Sequence, residues 1–293
     1  MTVVGPVADR SELILGRIKA RRWQIAFTYF LTLLENGFTL VYPWAIGLAI
    51  NGLITDAHEM IAPLVVIWIT HIAVGGLRQV YDTNLFSRLY ASIASDIVMV
   101  QKAQGEEVSE ISARVDMAYE IADFMEEDVP RIMAAMAGLL GGVAMLFFYD
   151  LVAGAIMAFL LVPVGIINAV MGSKALRFSR NFNNEFERQV DIIDEGRRRP
   201  VLLHFGRLAQ WRIRLSNADA GSWTLAEGLA LIATVLVLFQ VASQPGVLAG
   251  TIFASIAYVL RVIESMDEIP GTVQNVMHLI DIRSRISNAD KAD

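Results

Sequence analysis

The sequence has no cysteine, and this excludes disulfides and every metal site built on thiolates. It has four histidines, and no two of them stand at a spacing typical of metal ligands, so we expect no metal and no cofactor bound by this chain. Charged residues are also scarce, at 18% against 55% hydrophobic residues. That composition argues against a soluble domain built around a single core.

Lysine and arginine are missing altogether from three long windows, residues 23–77, 132–173 and 215–260. A helix that crosses a membrane needs about 20 mostly apolar residues, so each window accommodates two helices and a turn. The 24 basic residues lie outside these windows. By the positive-inside rule, the segments that carry them and both termini face the cytoplasm. The sequence therefore predicts a multi-pass protein of the cell (inner) membrane.

The predicted fold class is an all-α membrane protein with six transmembrane helices. We assign residues 1–22 to an N-terminal cytoplasmic segment, with an interfacial helix at 11–18, residues 23–286 to the membrane domain, and 287–293 to a C-terminal tail. The spans are predicted at 23–50, 61–78, 131–148, 151–171, 223–241 and 247–263.

The two connections on the cytoplasmic side, 78–131 and 174–214, lack the composition of loops. Apolar residues recur every three or four positions in the first, as at Val108, Ile111 and Val115, which predicts a helix with one buried stripe. We therefore expect the membrane helices to continue into the cytoplasm as paired helical arms. The first arm should turn around 98–105 and the second around 196–200, with Pro200 stopping a helix.

Three local patterns accompany this layout. The stretch from Gly105 to Asp116 reads GEEVSEISARVD, the stretch from Ile192 to Arg197 is followed by His204-Phe205-Gly206, and Glu268-Ile269-Pro270 leads towards Arg283-Ser284-Arg285-Ile286. Together they resemble the membrane domain of ABC exporters of the six-helix type with long intracellular loops. The resemblance implies a dimer, either a homodimer or a heterodimer with a similar chain. It also implies a separate nucleotide-binding subunit that docks on the arm tips, at Lys102, Gln104, Gly105, Arg197, Arg198, Arg199 and Pro200.

No Gly-x-x-x-x-Gly-Lys-Ser/Thr loop occurs in the 293 residues, so we expect that the chain is not an enzyme. ATP and Mg²⁺ would then act only through a partner subunit. The basic tips lack interleaved aromatic residues, so no nucleic-acid partner is expected, and membrane lipid is.

Ionisable side chains inside the hydrophobic windows are the candidate site residues, because a charge within the bilayer costs about 2.5–3.5 kcal/mol on insertion scales. Glu35, His71 and Arg261 lie roughly 15–24 Å from the outer turns, and Glu264 stands at the inner end of the sixth span. They are candidates for a cavity that binds substrate or relays protons. The alternatives are a structural Glu35–Arg261 ion pair, a His71 that bonds a neighbouring carbonyl, and a Glu264 that is merely solvated.

Three functions fit these features. The first is the membrane subunit of an ABC-type transporter for a small molecule, lipid or peptide, powered by a separately encoded ATPase. The second is a proton-driven secondary transporter with an exporter-like fold. The third is an orphan membrane domain with a regulatory role.

Because the chain has no cysteine of its own, single introduced cysteines report its topology without background. We expect a membrane-impermeant maleimide, applied to intact cells, to label Asp56→Cys in the first outer turn and to leave Ser109→Cys unlabelled. Labelling at position 109 should appear only after the cells are opened. Labelling of Ser109→Cys from outside intact cells would overturn the predicted orientation.

Overall fold

The computed structural model describes residues 10–268 and residue 271, and the regular structure of that part of the chain is helical throughout. The predicted terminal helix through Pro270 and Arg283 to Ile286 lies outside the described residues. The helices are α1 (Arg10–Ala20), α2 (Arg22–Ile54), α3 (Ala62–Gln104), α4 (Val108–Asp123), α5 (Val129–Met136), α6 (Gly142–Tyr149), α7 (Leu151–Glu187), α8 (Gln189–Glu195), α9 (Arg198–Ala242) and α10 (Ala249–Glu268). A short 3₁₀ turn, His58–Ile61, precedes α3.

Among the described residues, six helical segments are long and apolar enough to cross a membrane, which confirms the predicted number of spans. Helices satisfy every backbone N–H and C=O internally, as hydrocarbon requires. Several run far beyond the thickness of a bilayer. The 43-residue α3, for example, continues through Arg78 without interruption and is about 64 Å long at 1.5 Å per residue. The prediction that membrane helices extend into long helical arms is therefore confirmed for α3.

The chain divides into two compact units, and each is described by itself. The first comprises the described residues 10–145 and 248–268, with residue 271, and the second is Leu146–Val247.

In the first unit, the arm end is held together by an apolar core between α2 and α3. Ile25 of α2 packs with Phe86, Leu89 and Ile93 of α3, all of them buried. The N-terminal helix α1 adds Ile14 and Ile18 to the same cluster. Its Arg17 forms an ion pair with Asp96, with 2.7 Å between Nε and Oδ2. The predicted interfacial helix at 11–18 thus lies within α1, and two of its apolar side chains pack against protein.

At the other end of α2, its backbone lies directly against the backbone of α10, with no side chain between them. A Cβ at Gly250 would clash with the carbonyl of Gly47, and a Cβ at Gly47 would lie 3.2 Å from the Cβ of Ala254. The side chain of Asn51 accepts a hydrogen bond from the Gly250 amide at 2.8 Å, and Tyr258 Oη donates to the Leu40 carbonyl at 2.8 Å. Small residues at such crossings let two backbones come into direct contact.

The rod from Val108 to Tyr149 contains two π-helical turns, Phe124–Asp128 and Ala137–Gly141. Each widens the helix locally, and the sequence pattern had not indicated either. Gly138 lies in the second of them, and a Cβ there would lie 3.0 Å from Arg261 Nε of α10. A Cβ at Gly142 would lie 2.7 Å from Cγ2 of Val262. Both members of this small-x-x-x-small pair therefore meet α10 at close range.

The second unit is an antiparallel hairpin of α7 and α9. Asp150 caps α7 by accepting a hydrogen bond from the Ala153 amide at 2.6 Å, and it also contacts Gln244 beyond the far end of α9. Midway, Ser222 donates to Asn168 at 3.3 Å. The short helix α8 closes the hairpin at its other end.

Pro200 corrects one expectation. It was predicted to stop a helix, but it occupies the first turn of α9, which begins at Arg198. Proline is tolerated there because the first-turn N–H groups have no partner within the helix. The helix breaks at Gly196, within the predicted turn and with a positive φ of 62°, and also at Arg188, where no break was predicted.

The glycine contact between α2 and α10 gives a direct test of this packing. We expect Gly250→Ala to lower thermal stability by about 1–3 kcal/mol, because the added methyl group forces the two backbones apart. Gly37→Ala is the matched control, since a Cβ at Gly37 meets no atom within 4 Å. Melting temperatures of the two variants in nanodiscs would decide the point. Equal melting temperatures would contradict the close approach.

Candidate functional site

The candidate site lies between α2 and α3, close to the point where the membrane part of the first unit passes into its arm. At 1.5 Å per residue, Glu35 is about 28 Å from Ile54 along α2, and Arg78 is about 24 Å from Ala62 along α3. A hydrocarbon layer is about 30 Å thick. The two residues therefore stand at the same level, near one face of that layer and not at its middle.

Arg78 organises the charges of the site. Its Nε donates to Oε2 of Glu35, and its Nη1 donates to Oδ2 of Asp82 at 2.7 Å. Asp82 is one helical turn further along α3 and is almost wholly buried, with 4% of its side chain exposed. A single guanidinium thus bridges two carboxylates on neighbouring helices. Such charge-assisted hydrogen bonds are among the stronger ones in proteins.

This arrangement corrects the expected Glu35–Arg261 ion pair. Arg261 instead lies one turn before Glu264 on α10, with 3.5 Å between Nη1 and Oε2. Its Nε is buried and has no hydrogen-bond partner among the described residues. Glu264 is mostly exposed, as the solvated alternative expected. The structure therefore brings Glu35 and His71 together and places Arg261 and Glu264 in a separate pair.

His71 contacts both a phenol and a carboxylate. Its Nδ1 lies 2.5 Å from Tyr42 Oη, and its Nε2 lies 3.7 Å from Oε1 of Glu35. The expected alternative, a hydrogen bond from His71 to a neighbouring carbonyl, is replaced by this phenol contact. We refer to Glu35, Tyr42, His71, Arg78 and Asp82 as the polar cluster.

Three residues of the polar cluster were not among the predicted site residues: Tyr42, Arg78 and Asp82. Arg78 had only marked the end of a hydrophobic window, although its long side chain reaches Glu35 on α2 and Asp82 further along α3. The spacing of Arg78 and Asp82, four residues apart on a predicted helix, is a signal that could have indicated an ion pair. The position of Tyr42 opposite His71 depends on how the two helices are rotated, and the sequence does not show this.

The first arm tip, residues 99–108, carries the predicted docking residues Lys102, Gln104 and Gly105. All three are exposed. Gly105 ends α3 with a positive φ of 79°, a conformation that favours glycine. Arg114 of α4 then pairs with Glu106 and lies 3.7 Å from Glu110, which fixes the start of the returning helix.

The second arm tip, residues 188–200, exposes Arg197, Arg198 and Arg199, whereas Pro200 is half-buried. Behind it, buried His204 of α9 lies 3.0 Å from Oε1 of Glu185 on α7. Burial alone would raise the pKa of Glu185, but the hydrogen bond with His204 and the charges of Arg207 and Arg188 outweigh it. The pKa of Glu185 is therefore lowered, and the residue braces the tip as a carboxylate.

Comparison with known proteins agrees with this architecture. A family model described as the ABC transporter transmembrane region matches residues 15–254, most of the chain. The chain belongs to this family. No curated protein matches the sequence.

Membership of the ABC transporter transmembrane region, together with six apolar helices, makes the chain a multi-pass membrane protein and a membrane component of an ABC-type transporter. Transmembrane domains of this kind generally form dimers and work with nucleotide-binding partners. The matched range includes the polar cluster and both arm tips.

The bridging role of Arg78 can be tested by removing its charge. Arg78→Gln leaves Glu35 and Asp82 without their cation, and we expect a stability loss towards the lower end of the about 3–5 kcal/mol typical of broken buried pairs. Arg17→Gln is the control, because its partner Asp96 is in an exposed ion pair that contributes little. Thermal unfolding in nanodiscs would compare them. The double variant Arg78→Gln/Asp82→Asn should regain part of the loss, and equal losses for Arg78→Gln and Arg17→Gln would contradict the bridge.

Proposed function

We propose that this chain is the transport subunit of an ABC-type transporter that moves a small molecule, lipid or peptide. Two copies, or one copy and a similar chain, form the membrane part. A separately encoded ATPase docks on the arm tips and drives the change of access. The observation that carries this proposal is the exposed apolar surface at both tips.

The apolar residues at the tips lie too far from the bilayer to be covered by lipid. At the first tip, Met99 is 73% exposed and Val108 is 80% exposed. Gln104, at the end of α3, is about 39 Å along the helix from Arg78. At the second tip, Val190 is 75% exposed and Ile193 is 55% exposed. Exposed apolar residues in an aqueous environment favour a protein partner.

Charge at the tips supports the same conclusion. Arg197, Arg198 and Arg199 form a basic run on the second tip, and only Arg197 has a carboxylate partner among the described residues, Glu195 at 2.8 Å. A partner with an acidic surface would complement this run and would associate faster for it. Basic residues at the tips also support an orientation in which the tips and both termini lie on the cytoplasmic side of the inner membrane, where ATP is available.

In this proposal the chain catalyses no reaction and binds no nucleotide. Its 293 residues contain no phosphate-binding loop of the Walker type, so ATP and Mg²⁺ would be held by the partner subunit. The chain's part is to convert movement at the tips into a change of access along α3 and α9.

A second candidate, a proton-driven transporter, is favoured by one observation. His71 lies within 3.7 Å of Glu35 inside a hydrophobic span, and such residues occur in proton relays. Uptake into proteoliposomes driven by a pH gradient alone, and abolished by Glu35→Gln, would support this candidate over the first. Uptake that requires ATP and an added ATPase would refute it.

The docking of an ATPase on the tips predicts where activity comes from. We expect the purified chain to show no ATPase activity, and a complex purified under native expression to contain a second polypeptide that supplies it. Val108→Asp and Val190→Asp should each reduce the co-purified activity at least tenfold, because a carboxylate replaces apolar contact.

Ser109→Asp is the matched control, since it adds the same charge beside Val108 at a position that is already polar and exposed. It should leave the co-purified activity close to that of the natural sequence. A complex isolated without any ATPase, or equal effects of Val108→Asp and Ser109→Asp, would contradict the proposal.

A further inference from the structure

We propose that the space beside Glu35, between α2 and α3, binds an organic cation, meaning an amine or quaternary ammonium carried on an apolar or aromatic body. This inference rests on the proposed transport function and names the substrate class for it. Five features carry it: an excess of carboxylates over guanidinium, an acceptor oxygen without a donor, a second carboxylate that is buried, an aromatic wall and a glycine beside the acceptor oxygen.

The first feature is charge. The polar cluster contains the two carboxylates of Glu35 and Asp82 and the single guanidinium of Arg78, so its carboxylates outnumber its guanidinium by one. A hydrophobic span surrounds it, and an uncompensated charge is expensive there. A bound cation would complete the neutralisation. A bound anion would instead increase the excess of negative charge in the polar cluster.

The second feature is that one carboxylate oxygen of Glu35 has no hydrogen-bond donor. Oε2 of Glu35 is held by Arg78, but Oε1 accepts no hydrogen bond from the described residues, and its nearest ionisable neighbour is His71 Nε2 at 3.7 Å. About a quarter of the Glu35 side chain, 26%, is exposed. Oε1 is the available acceptor of the cluster.

The third feature lies deeper in the same network. Asp82 is buried beside Thr28, whose hydroxyl acts on its carboxylate, although neither Oδ1 of Asp82 nor Oγ1 of Thr28 makes a hydrogen bond of normal geometry with the described residues. Because Asp82 is nearly wholly buried and shares the guanidinium of Arg78 with Glu35, its carboxylate adds to the negative potential around Glu35.

The fourth feature is an aromatic wall on the side of Glu35 away from the arm. Phe38 stacks on the His71 ring at 5.7 Å between centroids, and Tyr42 lies 5.1 Å from Trp68. Phe38 and Tyr42 follow Glu35 at helical spacing on α2, so the wall continues from the carboxylate along the span. Aromatic faces attract organic cations, most strongly where water is excluded.

The fifth feature is space. A Cβ at Gly75 would lie 3.3 Å from Oε1 of Glu35 and within 4 Å of no other residue, so any larger side chain here would crowd this oxygen. The neighbouring Gly76 has no atom within 4 Å of such a Cβ and does not face the carboxylate. A carboxylate, an aromatic surface and a gap are the parts of a binding site for a lipophilic cation.

The test compares two ions of nearly equal size and opposite charge, tetraphenylphosphonium and tetraphenylborate. Equilibrium dialysis against nanodiscs that contain the full chain, minus the uptake by empty discs of the same neutral lipid, measures binding. We expect saturable binding of tetraphenylphosphonium and none of tetraphenylborate. Glu35→Gln should weaken the binding at least tenfold, and Glu59→Gln in the outer turn should leave it unchanged. Binding of both ions, or of neither, would overturn the proposal.

A pair of glycine variants keeps the test valid should Glu35→Gln fail to fold. Gly75→Val places methyl groups at the approach to Oε1 and should reduce binding of tetraphenylphosphonium at least fivefold. Gly76→Val makes the same substitution one position along and should not. Equal binding by both variants would overturn the proposal. Because dialysis involves no ATPase, its outcome is independent of the docking experiment, and the two proposals fail separately.

Discussion

The cost of placing a positive side chain in hydrocarbon is the constraint on which the rest of this structure depends. It empties three long windows of lysine and arginine, and those windows become the helices that cross the membrane. The same cost explains why Arg78, which stands at the edge of a window, has carboxylates on two helices as hydrogen-bond partners. Positive charge is thus kept out of the three windows, and at Arg78, on the edge of one of them, it is paired.

The polar cluster and the first arm tip share one helix. α3 carries His71, Arg78 and Asp82 at the level where the membrane segment ends, and it continues to the exposed tip at Gln104. Apolar packing of Ile25 against Leu89 stabilises the arm between these two places. In the second unit, Glu185 and His204 brace the tip in a different way, through a buried polar contact between α7 and α9.

Much of the fold could be predicted from the sequence because it follows from composition over long stretches. The windows without basic residues indicated six spans, and the periodicity of Val108, Ile111 and Val115 indicated that the connections are helical. Both features average over many residues, so single errors do not change them. The family resemblance suggested by the stretch from Gly105 to Asp116 was confirmed in the same way, by a match over most of the chain.

The partners of single side chains were less predictable. Glu35 pairs with Arg78 and not with Arg261 because of the rotation of α2 against α3, which tertiary packing determines. The prediction that Pro200 stops a helix was wrong. Proline occurs both in the first turn of a helix and just after a helix ends, and the local sequence does not distinguish the two positions. The π-helical turn at Ala137–Gly141 also follows from tertiary packing, since its Gly138 lies against Arg261 and Ser265 of α10.

The unbroken length of α3 has a mechanical consequence. From Arg78 to its last residue the helix extends about 39 Å, and no proline, π-helical turn or gap interrupts that part. In a straight rod of this length, a tilt of about 5° at the level of Arg78 would displace the far end by about 3 Å. If α3 moves as a rigid body, a small rearrangement around Glu35 would therefore be magnified at Gln104.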